Sequence, residues 1–315
     1  MTHERIIYIT KHGIKLGVSP EIGGMMLYLS KNNSENIVRS NPILYDSAVA
    51  VSPEILRDIV PFIGHATWLG PQSDWWQQQS VHEERKQQVA TWPPDPTITE
   101  GAYTIRNKTN NSISLLSAES PIWGVQLQKD YVINPDGSIF ISVTLIANKK
   151  TVAWDIWFNT RVHGFHDTYV YATPENIRTE HVISPQSTEM PSQYTHGFFH
   201  YTACEPPHTH PERNSKTFVY PQTPNIYMFS EKNALHITFE KHQKSELHPE
   251  QALAELYIHT EKNAEKSFLE LEYHSPYKTI HPGETMSAWQ VWNVHDYSGQ
   301  KNSNEHIQFI NSHLL

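Results

Sequence analysis

The chain has 315 residues, with 24 Lys and Arg against 33 Asp and Glu, for a formal net charge of -9. This acidic balance, without clustered basic residues, argues against nucleic acid and other polyanions as partners. The single cysteine, Cys204, excludes an intrachain disulfide, so an apolar core must supply the stability. Residues 1–30 lack a secretory signal, and no stretch approaches the roughly eighteen apolar residues of a membrane span. We therefore expect a soluble, cytoplasmic monomer or homodimer without a membrane partner.

Short alternating apolar runs, separated by Gly and Pro, predict β-strands from the start of the chain. Three successive strands are expected within residues 6–29. Residues 124–133 and 138–146 form a predicted hairpin, because the Asn-Pro-Asp-Gly sequence at 134–137 is a strong turn signal. The pattern is typical of antiparallel β structure.

Evidence for helices is weak. Residues 80–89 are polar enough for a short exposed helix or a loop, and residues 250–258 have helix-like Ala and Leu content but lead into a strand. No repeat and no flexible linker divides the chain. The expected fold class is all-β, a large antiparallel β-sandwich that forms a single domain over residues 1–315.

Residues 151–163 form a strand whose two faces differ, because alternate side chains of a strand point to opposite sides. One face is apolar and predicts contact with the core. The other is polar but contains a tryptophan, which an ordinary solvent-exposed face rarely needs. We interpret this second face as ligand-facing; it carries Ala153, Asp155, Trp157, Asn159, Arg161 and His163.

The strand predicted at residues 267–276 places two carboxylates on one face. Glu270 and Glu272 are two residues apart and share that face with Phe268 and His274, opposite an apolar face. Neighbouring carboxylates perturb each other, so one of them could have a raised pKa and act as a general acid or base. The alternative is an ordinary solvated strand face.

Residues 64–76 and 92–96 combine aromatic and polar side chains with Gly and Pro, which predicts loops that could hold a sugar. Aromatic faces stack against sugar rings, and polar groups bind hydroxyls. Alternatively, the tryptophans cap an open end of the sandwich. The candidate substrate-binding residues here are Trp68, Gln72, Trp76 and Trp92.

Metal and cofactor chemistry have little support in the sequence. His208 and His210 could face one side of an extended segment, but no Cys or carboxylate stands at a recognised metal-site spacing. There is no Gly-x-Ser-x-Gly motif and no phosphate-binding Gly-rich loop. We expect no metal and no cofactor.

Several separated segments resemble an uncharacterised, mutarotase-like family of unknown function. The Leu-Glu strand at 268–276 continues to the Pro-Gly-Glu turn at 282–284 and to Trp289 and Trp292, as in that family. Gly64-His65, Trp68 and Pro71-Gln72 are similar to its Gly-His-x-x-Trp-x-x-Pro-Glu loop. Residues 123–129 and 134–137 follow in the family order.

The resemblance implies a supersandwich related to aldose 1-epimerase, with a sugar-binding groove on its concave sheet. In mutarotases a C-terminal Glu takes a proton from the anomeric hydroxyl while a His protonates the ring oxygen. Glu270 or Glu272 stands where that Glu is expected. Asp155 stands where the motif His is expected, so either another histidine, such as His65 or His163, supplies the acid, or the chain is not a mutarotase.

Three functions remain open at this stage. The first is a sugar isomerase with Glu270 or Glu272 as base, His65 or His163 as acid, and the substrate oriented by Trp68, Gln72, Asn159 and Arg161. The second is a carbohydrate-binding protein without catalysis, since the motif His is missing. The third is a polysaccharide or uronate lyase that uses Asn159, Arg161 and His163.

Overall fold

A computed structural model describes residues 5–49, 63–181, 192–201, 213–261, 263 and 266–314. Within these residues the chain folds into two large antiparallel sheets, as the alternating pattern predicted. The strands are β1 Ile7–Lys11, β2 Ile14–Ser19, β3 Met25–Lys31, β4 His65–Gly70, β5 Tyr103–Lys108, β6 Ser112–Ser117, β7 Val125–Ile133, β8 Ile139–Ala147, β9 Val152–His163, β10 Asp167–Tyr171, β11 Ile177–His181, β12 Ser192–Thr195, β13 Phe198–Tyr201, β14 Arg213–Val219, β15 Asn225–Phe229, β16 Asn233–Phe239, β17 Ala254–Thr260, β18 Phe268–His274, β19 Lys278–Ile280 and β20 Thr285–Asp296.

The first sheet has the strand order β1-β2-β3-β4-β9-β18-β17-β14-β11, and β19 pairs with the beginning of β9. The second sheet has the order β12-β13-β10-β15-β16-β20-β8-β7-β6-β5. Neighbouring strands such as β9 and β18 lie far apart in sequence, so their pairing depends on the whole sandwich closing. The apolar faces of both sheets meet in one extensive buried core.

Helices are short in the described part of the chain. Helix α1 spans Glu83–Gln87 in the segment predicted as an exposed helix or loop, and helix α2 spans Pro96–Thr99. Helix α3, Ser303–His313, was not predicted; the Asn302 side chain caps its N-terminus, and it packs on a small aromatic cluster through Ile307 and Ile310. No helix in the described segments is long and apolar enough to cross a membrane.

The predicted strands at the start of the chain and the hairpin at residues 124–146 are confirmed. The segment at 250–258 is not helical: its residues 254–258 form most of strand β17. The prediction of a loop over residues 64–76 was wrong for its first half, because residues 65–70 form β4, next to β9 in the first sheet. The Gly and aromatic residues of this segment obscured the alternation of side chains between two faces that marks a strand.

Candidate functional site

The polar face of the first sheet collects charged side chains from four adjacent strands. Strand β9 pairs with β18, β18 with β17, and β17 with β14. The register places Glu272 opposite Glu255 on β17 and opposite Asn159 on β9. Alternate residues of each strand therefore meet on this one face, which we call the groove face.

The centre of the groove face is a buried group of charges that we call the carboxylate cluster; it consists of Asp155, Lys216, Glu255, Glu272 and His274. The Lys216 ammonium lies 2.6 Å from Oε2 of Glu255 and 3.0 Å from Oε2 of Glu272. The Trp157 indole N–H donates to the same Glu272 oxygen at 2.8 Å. Hydrogen bonds and ion pairs thus link the cluster across the four strands β9, β18, β17 and β14.

Within the cluster, His274 contacts Asp155, the residue that stands where the resemblance would place a histidine. Nδ1 of His274 donates to Oδ1 of Asp155 at 3.0 Å, and both side chains are buried. Gly70 on the neighbouring strand makes room for this carboxylate, because a Cβ there would lie 2.6 Å from its nearest oxygen. The Asp therefore orients the imidazole.

Lys216, Glu255 and His274 of the carboxylate cluster hold one another in their ionised forms. Burial would raise the pKa of Glu255, but Lys216 and His274 outweigh burial and lower it to about 2. Burial would lower the pKa values of Lys216 and His274, yet the neighbouring carboxylates raise both. Isolated buried charges would be neutralised instead, so the cluster remains charged only as a unit.

A second pair on the same face consists of Arg161 and Glu270. The guanidinium Nε donates to Oε1 of Glu270 at 2.7 Å, and Arg161 also lies over the Trp68 ring, 5.3 Å from its centre. Burial raises the pKa of Glu270 more than Arg161 lowers it. Glu270 is therefore a buried carboxylate with a raised pKa, which makes it a better proton acceptor than an exposed one.

An open cavity of about 390 Å³ lies over the carboxylate cluster. Its size falls within the usual range for small-molecule pockets. Trp157 and Phe218 supply aromatic surface on either side of Lys216, whose ammonium lies 4.6 Å and 5.8 Å from their ring centres. The other lining residues are Gln72, Arg178, Glu180, Pro249, Glu250, Gln251 and Glu255.

The structure brings together most of the predicted residues of β9 and β18. Asp155, Trp157, Asn159, Arg161, Glu270 and Glu272 all lie on the groove face. Trp68 joins them from β4, where it pairs with Trp157, at 5.0 Å between ring centres.

His65 does not lie with these residues. It alternates with Trp68 on β4 and so points into the core, where Nδ1 lies 2.8 Å from Oγ1 of Thr160 and the ring packs against Trp292 of the second sheet. Burial, with a further contribution from Lys129, lowers its pKa to about 3. The structure thus separates His65 from the carboxylates it was expected to assist.

His163 lies at the end of β9 and lines a different cavity. That cavity, of about 450 Å³, also includes Phe165 and His166 and turns from both sheets. Burial, with a further contribution from Arg39, lowers the pKa of His163 to about 4. No contact joins His163 to Glu270 or Glu272 in the described structure.

The remaining predicted loop residues divide between the groove and the core. Gln72 lines the cavity, and its amide donates to the Thr91 carbonyl at 2.7 Å. Trp76 is buried away from the cavity, where its indole donates to the Pro93 carbonyl. Trp92 is 46% exposed and packs edge-on against Trp68.

Sequence reasoning missed Lys216 and Glu255, the two residues that complete the carboxylate cluster. The signal was present for Glu255, because Ala254, Leu256 and Ile258 alternate with Glu255, Tyr257 and His259 along β17. Its helix-like composition hid this alternation. His208 and His210, considered as metal ligands, lie outside the described residues. The structure instead brings together possible ligand atoms of Glu255, Glu272 and His274, all within 4.8 Å of one another.

The architecture is that of the galactose mutarotase-like sandwiches. A galactose 1-epimerase from Lactobacillus acidophilus NCFM superimposes with a TM-score of 0.54, covering 94% of this chain and 98% of that one at 11% identity. A galactose mutarotase-like protein from Clostridium acetobutylicum gives 0.53, with 93% and 96% covered at 11% identity. An aldose epimerase homologue from C. elegans also gives 0.53, with 93% and 99% covered at 11% identity. These likenesses show the fold.

The sequence assigns the chain more closely. Residues 5–295 match the family described as Domain of unknown function (DUF4380), and the chain belongs to that family. The resemblance noted in the sequence is thereby confirmed. A comparison with curated proteins finds no match.

Proposed function

We propose that the groove face binds a sugar and that the protein interconverts its anomers, as an aldose 1-epimerase-like isomerase. The observation that carries the proposal is a set of buried polar atoms beside Glu270 that make no hydrogen bond to any described residue. Buried polar groups are normally paired, so such a set calls for a ligand or water. The atoms are Nε1 of Trp68, Oδ1 and Nδ2 of Asn159, and Nη1 of Arg161.

The donors and acceptors in this set match what a sugar hydroxyl offers, since a hydroxyl both donates and accepts. Indole and guanidinium groups donate, and the Asn159 amide does both. The aromatic surface of Trp157 and Phe218 lies on the same face and suits the CH face of a sugar ring. The fold similarity to a galactose 1-epimerase supports this ligand class.

The charge of the cavity favours a neutral sugar over a sugar acid or phosphate. Its described lining carries three carboxylates, Glu180, Glu250 and Glu255, against the two cations Arg178 and Lys216. Both cations already contact carboxylates, Arg178 through Glu180 and Lys216 within the carboxylate cluster. An anionic ligand would therefore meet net repulsion.

For the chemistry, we assign Glu270 as the base that takes the proton of the anomeric hydroxyl. Its raised pKa makes it a stronger base than an ordinary carboxylate. Tyr257 pairs with Glu270 in the sheet and is half-buried, and burial raises its pKa to about 12, so it is protonated before the reaction. We assign its hydroxyl as the hydrogen-bond donor to the ring oxygen, in place of His65 and His163. The ring opens when Glu270 takes the anomeric O–H proton, the C1=O1 bond forms and the C1–O5 bond breaks, while the Tyr257 hydroxyl gives its proton to O5. Tyr257 takes that proton back and Glu270 returns its own when the ring recloses on the other face, which gives the second anomer.

One observation favours a second function, a sugar-binding protein without catalysis. Glu270 accepts a hydrogen bond from the buried Arg161, and Glu272 accepts one from the half-buried Lys216, which restrains the movement of both carboxylates towards a substrate. The lyase alternative has less support, because Arg161 is paired with Glu270 and His163 faces another cavity.

The test is NMR on the purified protein with hexoses, sugar acids and sugar phosphates. Saturation transfer reports binding, and exchange spectroscopy between the α and β anomeric signals reports interconversion. We expect binding of a neutral hexose with accelerated exchange. Glu270→Gln should keep binding and slow the catalysed exchange by about 100-fold or more, as expected for loss of a general base.

A matched control is Glu83→Gln, which makes the same change at an exposed position on α1 and should alter neither signal. Binding by the unmodified protein without faster exchange would establish the non-catalytic alternative. Unchanged exchange in Glu270→Gln would remove Glu270 from the mechanism. Failure of every sugar to bind would refute the proposal.

A further inference from the structure

The carboxylate cluster has the geometry of a metal-binding site. Nε2 of His274 lies 3.5 Å from Oε2 of Glu255 and 3.8 Å from Oε2 of Glu272. Ligand atoms about 2.1 Å from a tetrahedral zinc ion stand about 3.4 Å apart. Both distances from the imidazole nitrogen are close to this value, and ligand atoms of all three residues lie within 4.8 Å of one another.

The imidazole itself supplies an independent indication. His274 is fully buried, and its Nε2 lies within ion-pair distance of both carboxylates but makes no hydrogen bond to a described residue. A bound metal ion would take the place of the proton on this nitrogen. Nδ1 of His274 instead donates to Asp155. This is the arrangement found around metals, where a ligating histidine donates its other N–H to a carboxylate that fixes the ring and its tautomer.

The carboxylates are also placed to act as ligands. Oε1 of Glu255 accepts from the backbone N–H of Ala252 at 2.7 Å, which leaves Oε2 facing His274. Oε1 of Glu272 is buried without a hydrogen bond. Both residues project from paired positions on β17 and β18, so the sheet holds their backbones rigidly.

The Lys216 ammonium stands where a metal ion would bind in this arrangement. This ammonium contacts the same two oxygens that a metal would bind, and the side chain reaches the open cavity, where 18% of it is exposed. A long, flexible lysine can swing towards solvent when a divalent ion takes its place. The ion and the ammonium therefore compete for one site.

We propose that Glu255, Glu272 and His274 bind a single divalent transition-metal ion of the zinc type, with Asp155 as positioning residue and Lys216 as the competing cation. Three protein ligands leave a fourth position for water or a ligand hydroxyl, and Lys216 reaches the cavity from this region. One imidazole with two carboxylates suits Zn²⁺ or Mn²⁺. The proposal is independent of sugar isomerisation, since metal binding is measured with no sugar present.

The test is isothermal titration of chelator-treated, tag-free protein with Zn²⁺ and, separately, with Mn²⁺. We expect one equivalent to bind. His274→Gln should weaken binding at least 100-fold, and Asp155→Asn should weaken it 10-fold to 100-fold, as for other residues that orient a metal ligand. Lys216→Met should strengthen binding at least tenfold, because it removes the competing ammonium.

The double variant His208→Gln/His210→Gln is the control for adventitious binding elsewhere and should leave the affinity unchanged. Circular dichroism checks that each variant is folded. If His274→Gln does not fold, the opposite shifts expected of Asp155→Asn and Lys216→Met still decide the question. The proposal is overturned if no saturable equivalent binds, if Lys216→Met that circular dichroism shows to be folded does not strengthen binding, if folded Asp155→Asn does not weaken it, or if binding depends on His208 and His210.

Discussion

The outer faces of the two sheets differ in how deeply they are buried. In the second sheet, β7 and β8 alternate strictly between buried and half-buried residues, as expected for strands with one face on the core and one towards solvent. In the first sheet, β18 is buried along its whole length and β9 along nearly all of it. On these two strands the groove face is as buried as the core face, and the open cavity reaches it beside Lys216.

This enclosure is costly, because the buried face is polar. Among the described residues, buried side-chain atoms without hydrogen bonds occur on β9 and β18 but not on β7 or β8. Folding alone gives no reason to keep charged and unpaired groups out of water. The difference between these two pairs of strands is what the proposed binding role of the groove face requires.

The largest effect on stability is expected at Lys216. Lys216→Met leaves Glu255 and Glu272 buried without their main counter-ion, which should lower the free energy of unfolding by about 3–5 kcal/mol in metal-free protein at pH 7. Urea denaturation measures this loss. Lys108→Met, at an exposed position of β5, is the control and should change stability little. A loss below about 1 kcal/mol at Lys216 would show that the carboxylate cluster is not held as we describe.

Lys129 in the core provides a comparison with Lys216, because in the described structure it is buried without a carboxylate partner. It donates to the Gly23 carbonyl at 2.7 Å, and burial lowers its pKa to about 7. The unfolded chain binds this proton up to about pH 10.4, so stability should rise as the pH increases above 7. The gain between pH 7 and 9.5 should be roughly 3 kcal/mol, from about 1.4 kcal/mol per proton and pH unit.

Denaturation of the unmodified protein and of Lys129→Met at both pH values isolates this contribution, since other groups titrate in both proteins. The variant should lack the rise. An equal rise in both proteins would mean that Lys129 keeps its proton in the folded state.

Removing a groove-face polar group should stabilise the protein. Both amide atoms of Asn159 are buried without hydrogen bonds, so Asn159→Leu should raise the free energy of unfolding by about 1–3 kcal/mol. The matched variant on the second sheet is Gln128→Leu, at a half-buried outer position of β7, where little change is expected. Urea denaturation of the two variants decides this; destabilisation by Asn159→Leu would mean that its amide is satisfied in the folded protein.

The smallest effect is expected at the rim of the cavity. Arg178 and Glu180 form an ion pair there, but both side chains are about half exposed, at 55% and 52%. Solvent screens such pairs, so Glu180→Gln should change the free energy of unfolding by no more than about 0.5 kcal/mol. A thermal melt of the variant that differed clearly from the unmodified protein would show that the rim is more ordered than its exposure indicates.

The strands could be predicted because alternation is a local signal, and the hairpin of β7 and β8 is the clearest example. Strand β4 was taken for a loop because Gly64 and Pro71 flank it. Alternation along β4 would have placed His65 in the core and Trp68 on the groove face. The same principle placed Glu270 and Glu272 correctly on one face.

The carboxylate cluster could not be assembled from the sequence. Lys216, Glu255 and His274 come from three strands, and Asp155 lies more than a hundred residues before His274. Only the pairing order of the sheet makes them neighbours, and that order depends on non-local contacts. A single-sequence pattern identifies a polar face but not which polar faces meet.

The most direct test of the groove face as a ligand site is saturation-transfer NMR with neutral hexoses on Asn159→Leu and Gln128→Leu. The two variants make similar changes on opposite sheets. We predict that Gln128→Leu gives the signals of the unmodified protein, while Asn159→Leu loses at least 90% of the transfer although it is folded and no less stable. Equal signals from both variants would contradict the assignment of the groove face as the binding site.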